Sequence, residues 1–231
     1  MPAATDEIKL PAYVRFFSPA MSDFLDGEFT REDRETEMSV ALMLARAAEA
    51  KDHTMGDHLR GIYRYTFALA RAMGLQATEA DELAKASMLH DIGKLMVPDR
   101  ILQKPGPLTK EEWAVIRRHP EEGVKILGAS PAFSLAREVV RWHHEKWDGS
   151  GYPDGLKSDR IPVYVAIVTV ADVYDALTSF RPYKIAWPAE QAAKELRRLR
   201  GRQFHPEVVD CFLTLLSQGH FTDVDLHGVP R

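Results

Sequence analysis

Cysteine is almost absent: Cys211 is the only one in 231 residues. That excludes a disulfide framework and fits a reducing cytoplasm, and the lone thiol in "VVDCFLTLL" reads as a small buried group on a helix rather than a nucleophile. An excess of either charge is lacking too, with 30 Lys and Arg against 34 Asp and Glu for a net charge of -4. A protein that coats DNA or RNA needs a basic field over a whole face, so nucleic-acid polymers are not expected partners. A small anionic ligand held by a few local cations remains open. Long hydrophobic runs are also missing. The most apolar stretch, "PVYVAIVTVA" at 162–171, is about half of the ~20 residues that span a bilayer. The first ten residues, "MPAATDEIKL", show no apolar core followed by a small-residue cleavage site. The expectation is a cytoplasmic protein without a membrane segment, and no low-complexity tract or solenoid repeat suggests otherwise.

What is present is 45% hydrophobic and 28% charged residues, in a chain long enough for one domain and a small appendage. Residues 1–32 read as an irregular N-terminal extension, with Tyr13, Phe16, Phe17, Phe24 and Phe29 scattered among Pro, Gly and Asp. Such a segment either docks its aromatics on the main domain or is the remnant of an input or dimerisation element. From about residue 34 the apolar spacing turns helical, and 33–231 reads as one all-α domain. Thr78 and Asp81 suggest a capping box at one helix start, Thr109 and Glu112 at another, and Ser130 followed by Pro131 at a third. The segment "IPVYVAIVTVADVYDALTSF" is rich in β-branched residues, which favour a strand. Its length and the spacing of Val165, Val168, Asp172 and Asp175 predict a buried helix instead.

Nine histidines are present, and several fall near predicted helix ends beside carboxylates: His58, the pair His90–Asp91, His119, the pair His143–His144, with Asp172 inside a helix. Imidazole and carboxylate without thiolate is a ligand set for Fe, Mn, Co, Ni or Zn in a hydrolytic centre. Any one of these histidines is more ordinarily a core or surface residue, so the set carries the argument. The spacings, 29 residues from His90 to His119 and 24 from there to His143, exclude a zinc-finger pattern. The basic runs "RRLRGR" at 197–202 and "RRH" at 117–119 lie at helix ends, where cations complement the helix dipole, and do not call for a nucleic-acid partner.

The segments "LHDIGKL", "HPEEGVKIL", "HHEKWDGSGYPDGL" and "VADVYDALTSFRPYK" resemble, in order and spacing, the HD-GYP family of cyclic di-GMP phosphodiesterases, a branch of the HD phosphohydrolases. The resemblance runs from about residue 39 to 216 and implies an HD-type helical bundle with its glycine-rich GYP loop beside a metal centre. It implies metal ligands at His58, His90, Asp91, His119, His143, His144 and Asp172, with Asp91 bridging two divalent ions, Fe or Mn ahead of Zn, Co or Ni. The implied reaction is hydrolysis of cyclic di-GMP to linear pGpG, and on to GMP in some relatives, by hydroxide held between the metals. Lys94 matches a lysine near the attacked phosphate. Arg181 and Lys184 match a phosphate-holding pair, and Gly151, Tyr152 and Pro153 match the loop that meets the nucleotide.

Many relatives carry a metal-binding Glu four residues before the first ligand histidine, where this chain has Thr54. A neutral hydroxyl is a poor ligand for a divalent cation, and His53 lies off the face of His58, so a dinuclear site is expected. His205 stands where relatives often have Asp, and either residue can cap the helix that Pro206 begins. The rival expectation from another class is a low-turnover receptor that binds the dinucleotide or docks a protein partner through the GYP loop. A homodimer and a preference for cyclic GMP-AMP also remain open at this level, as does a general HD nucleotide phosphohydrolase.

Overall fold

The computed structural model describes residues 30–52, 58–179 and 185–221, and within them the chain is all helix and loop, apart from one isolated bridge between Arg200 and Phe204. In chain order the helices are α1 (Arg31–Lys51), α2 (His58–Ala72), α3 (Ala77–Ser87), α4 (Asp99–Leu102), α5 (Lys110–Ile116), α6 (His119–Leu127), α7 (Ser134–Trp142), α8 (Val163–Thr178), α9 (Ala189–Leu199) and α10 (Pro206–Ser217). Short 3-10 turns cover Ile92–Met96, Pro131–Phe133 and Ser158–Arg160.

The apolar segment at 163–178 is a helix because it is surrounded. Val165, Ile167, Val168, Val170 and Ala171 are all fully buried, so packing on every side overrides the strand preference of their β-branched side chains. Around α8 pack α2, α7, α9 and α10. Thr169 ties this core helix to the end of α7, donating its hydroxyl to His143 O at 3.1 Å as well as to Val165 O one turn back.

Three helix starts differ from expectation, each for a local reason. Helix α1 begins at Arg31, ahead of the expected onset, because Thr30 accepts from Asp33 N at 3.1 Å while the Asp33 carboxylate accepts from Thr30 N at 3.0 Å. At α3 the cap is Gln76, whose N–H donates to Glu79 at 2.7 Å, and not Thr78 with Asp81. Asp81 is instead engaged by Tyr63 of α2, which donates to it at 2.6 Å, and by Lys85 at 2.7 Å. Ser130 caps as expected, but the turn it opens is the 3-10 turn Pro131–Phe133, and α7 proper starts at Ser134. The full capping box of Thr109 and Glu112 is present on α5, and His205 caps α10 by accepting from Glu207 N at 3.2 Å. No helix among the described residues is long and apolar enough to cross a membrane.

Candidate metal centre

Three helix ends, one corner and the middle of α8 meet at one place. His58 opens α2, His119 opens α6, His143 caps the C-terminus of α7 with His144 next to it, and Asp172 lies on α8. His90 and Asp91 do not end α3 but sit in the corner between it and the 3-10 turn that carries Lys94. The ligand atoms fall into two adjacent sets, Asp91 with His119, His143 and His144, and His58 with His90 and Asp172; within each set they lie within 4.8 Å of one another. All seven residues singled out from the sequence are therefore brought together.

The histidine tautomers follow from their outer partners. A carbonyl oxygen only accepts, so Nδ1 carries the hydrogen in His90, bonded to Ser87 O at 2.8 Å, in His119, bonded to Ile116 O at 2.7 Å, and in His143, bonded to Val140 O at 2.9 Å. In each case the carbonyl lies three residues back, so a helix end or tight turn sets the ring's orientation. His58 Nδ1 meets Asp175 Oδ2 at 2.5 Å. Its Nε2, like the others, is left to face inward.

These inward atoms fit divalent cations. His90 Nε2 is buried without a hydrogen bond, although Asp91 Oδ2 stands 3.2 Å and Asp172 Oδ1 3.7 Å away. The Nε2 lone pairs of His119 and His143 face each other at 3.3 Å, an approach that repels unless positive charge sits with them. Asp91 divides its carboxylate between the sets, Oδ2 toward His90 and Oδ1 toward His119 at 3.2 Å. Buried imidazoles with free lone pairs, beside carboxylates of opposite charge, are a donor set that could hold divalent metal ions.

Charge is finely divided across the cluster. Burial pushes the His90 imidazole down, but with no cation present the Asp91 and Asp172 carboxylates outweigh it and hold the group up at about 9, so a proton takes the place on Nε2 that a cation would take. Burial pushes the Asp91 carboxyl up, and Lys94 and His90 outweigh this, holding it well below the ordinary range. His143 and His144 have no comparable partner. Burial, reinforced by the neighbouring imidazoles, holds both neutral, with His144 brought down to about 3. Lys94 sits between two carboxylates, 2.7 Å from Asp91 Oδ2 and 2.7 Å from Asp52 Oδ2, and their charge overrides its burial to raise its pKa.

The glycine loop closes one side. Glu145, 2% exposed, accepts from Asp154 N at 2.7 Å and Leu156 N at 3.0 Å. Asp154 in turn accepts from both Arg141 nitrogens and from Trp142 Nε1. Gly151 lies against the backbone behind His144: a Cβ there would stand 2.4 Å from Lys146 N and 2.6 Å from His144 O. Its contribution is a close approach that only a residue without a side chain permits. Tyr152, joined to Pro153 by a cis peptide, stacks on His144 with ring centroids 4.7 Å apart. Arg117 lies over the same tyrosine at 4.6 Å from the ring centre, so its helix-end position does more than complement a dipole. The arginines of 197–202 keep the plainer role, with Arg198 paired to Glu195 and Arg200 to Asp210.

Sequence reasoning passed over Asp52, Glu145 and Asp175. In the sequence Asp175 marks only the spacing of α8, yet it lies about one turn beyond Asp172 and is 3% exposed. The missed signal was Gly61: a Cβ there would fall 1.9 Å from Asp175 Oδ1, so α2 lacks a side chain where the carboxylate enters. Asp52 and Glu145 had no such signal. Arg181 and Lys184, with Thr54 and His53, lie outside the described residues, as does the extension up to residue 29.

The HD domain family matches residues 41–208. The chain belongs to the HD-domain family. This agrees with the HD-GYP resemblance carried by its motifs. Among curated relatives, this HD-domain chain is 44% identical over 182 residues to the 3'3'-cGAMP-specific phosphodiesterase 2 of Vibrio cholerae, which covers 78% of this chain and 35% of that protein. It is 41% identical over 199 residues to a cyclic di-GMP phosphodiesterase of Thermotoga maritima, covering 85% of this chain and 54% of the relative. The chain thus spans about half the length, or less, of these relatives. Of solved structures, an HDG"Y"P protein from Bdellovibrio bacteriovorus shares the fold with a TM-score of 0.59 at 20% identity, over 86% of this chain and 68% of that one.

Proposed function

We propose that this HD-domain chain is a phosphodiesterase that uses two divalent metal ions to open cyclic di-GMP to linear pGpG. The observation that carries the reading is the pair of donor sets divided by one carboxylate, with inward Nε2 atoms whose outer nitrogens are already engaged. His58, His90, Asp91 and Asp172 would hold one ion, and Asp91, His119, His143 and His144 the other. When bound, two such ions supply Lewis acidity, acidifying water toward neutral pH and neutralising charge on phosphate oxygens.

The chain's own groups do the rest. Asp175 fixes the His58 ring, and the carbonyls of Ser87, Ile116 and Val140 fix three others, so the donors need no rearrangement when cations arrive. An ammonium has three N–H donors, of which Lys94 gives one each to Asp52 and Asp91. The third is free to bind an oxygen of the scissile phosphate beside Asp91. Tyr152 stacks on His144 and forms the wall of the centre on that side. The match to a cyclic di-GMP phosphodiesterase supports the substrate, while the cGAMP-specific relative supports only the wider class of guanine-containing cyclic dinucleotides.

The test is turnover by protein loaded anaerobically with Fe(II) or Mn(II). Conversion of cyclic di-GMP to pGpG is expected. Tight binding without product under every metal tried would replace the enzyme reading with a receptor.

A further inference from the structure

Most charged groups at the centre are accounted for by one another, but Arg117 is not. It is exposed, and among the described residues no carboxylate lies within ion-pair distance of it. Its guanidinium instead rests over Tyr152, the ring that stacks on His144. Contact with an aromatic face at an exposed site is worth only ~0.5–1 kcal/mol, enough to orient an arginine but not to satisfy its donors. A guanidinium lying over a ring keeps its N–H groups directed outward in its own plane, where they match a pair of acceptors on a flat ligand edge.

One turn earlier on α5 stands Trp113, 52% exposed although it is the largest apolar side chain in its helix. The Arg117 N–H donates to Trp113 O at 2.9 Å, so the helical turn relating the two positions is intact, and residues four apart share a face. A free guanidinium edge and an exposed indole on one face suit a nucleobase, which offers both an acceptor edge and a flat apolar surface. A phosphate offers no such surface, and the phosphate side of the pocket already has Lys94 beside Asp91.

We infer that Arg117 and Trp113 form a base subsite that reads guanine, with Arg117 donating to O6 and N7 and Trp113 packing on the ring. The inference rests on the proposed cyclic dinucleotide chemistry and adds what selects among its substrates. Guanine presents two acceptors on that edge, whereas adenine presents one acceptor and one donor, which an arginine cannot satisfy. The subsite therefore admits any cyclic dinucleotide with a guanine for this position, including a mixed guanine–adenine ring in one orientation, and rejects cyclic di-AMP.

The test compares metal-loaded parent, Arg117→Ala, Arg117→Lys and Trp113→Ala on cyclic di-GMP and cyclic di-AMP, with metal content measured for each. Loss of a bidentate pair should raise KM for cyclic di-GMP roughly 10- to 100-fold, leave kcat and metal content near parental values, and narrow the preference over cyclic di-AMP. Arg117→Lys should recover only part of the KM and of the preference, because an ammonium can donate to both guanine acceptors but lacks the flat, pre-set fork of a guanidinium. Trp113→Ala should raise KM for both substrates. Overturning results are an unchanged KM in Arg117→Ala, or an equal rise in KM for cyclic di-GMP and cyclic di-AMP with the preference unchanged, which would assign Arg117 to a phosphate. If the parent turns over cyclic di-GMP and Arg117→Ala matches it, only the base subsite fails. If the parent neither binds nor hydrolyses any guanine-containing cyclic dinucleotide, the proposed function fails and takes the subsite with it.

Discussion

Asp175 belongs to neither donor set, yet its carboxylate decides which nitrogen of His58 faces the cluster. Replacing an outer partner of this kind typically costs 10- to 100-fold in metal affinity, so Asp175→Asn should weaken binding at the His58 side by roughly that factor while the fold persists. Competition with a chelator, followed by metal analysis, reads this directly; unchanged affinity would remove Asp175 from the account. Titration supplies a second prediction at this scale. In metal-free protein the unfolded histidines take up protons below about 6.5. Folded His143 and His144 refuse them until far lower pH, about 3 for His144, so stability falls as pH drops below neutrality. His90 works the other way. Raised to about 9, its contribution is complete below the unfolded value and is lost as pH climbs toward 9. The denaturant midpoint in EDTA should therefore pass through a maximum near neutral pH, and a steady rise from pH 5 to pH 9 would contradict the assignment. His90, His119, His143 and His144 were legible in the sequence because the motifs that carry them, "LHDIGKL", "HPEEGVKIL" and "HHEKWDGSGYPDGL", resemble those of a known family in order and spacing. The sequence hid Asp52 and Asp175 because their partners are distant in the chain, 42 residues separating Asp52 from Lys94 and 117 separating His58 from Asp175, and it hid Glu145 because its partners are backbone N–H groups, which every residue type but proline carries.

At the scale of elements, the glycine loop is held less by its own residues than by Glu145 beneath it. Two loop N–H groups donate into that buried carboxylate, and each would be left unsatisfied in Glu145→Ala. The expected loss is about 1–3 kcal/mol per stranded donor. Chemical denaturation should show it, together with a raised KM as Tyr152 leaves its place on His144. A variant of parental stability and KM would mean that the loop holds itself. Gly151→Ala should act in the same direction, because its Cβ meets the backbone of the turn bearing His144. Elements were readable wherever period and punctuation agreed, as at the Thr109–Glu112 box of α5. They were misread where a side chain had a better tertiary partner, as when Tyr63 claimed Asp81 and left Gln76 to cap α3. The central helix was ambiguous by composition, since nothing local tells β-branched residues that they will be buried on all sides.

Among the described residues the molecule gathers five separated segments onto one centre around α8, and these carry the seven histidines and aspartates that the motifs single out, while Arg181 and Lys184 lie outside them. What lay beyond sequence reach surrounds the two donor sets: Arg117 resting on Tyr152, and the ammonium of Lys94 shared by Asp91 and Asp52. With Thr54 in place of a third anionic ligand, the account requires a centre that is complete with two ions. Titration of metal-free protein with Mn(II), reading pGpG formation from cyclic di-GMP at each addition, tests this most directly. Activity should climb until two equivalents per chain are bound and then stay level, with Asp91→Ala inactive throughout. Full activity at one equivalent, a further rise at a third, or no product at any loading would contradict it.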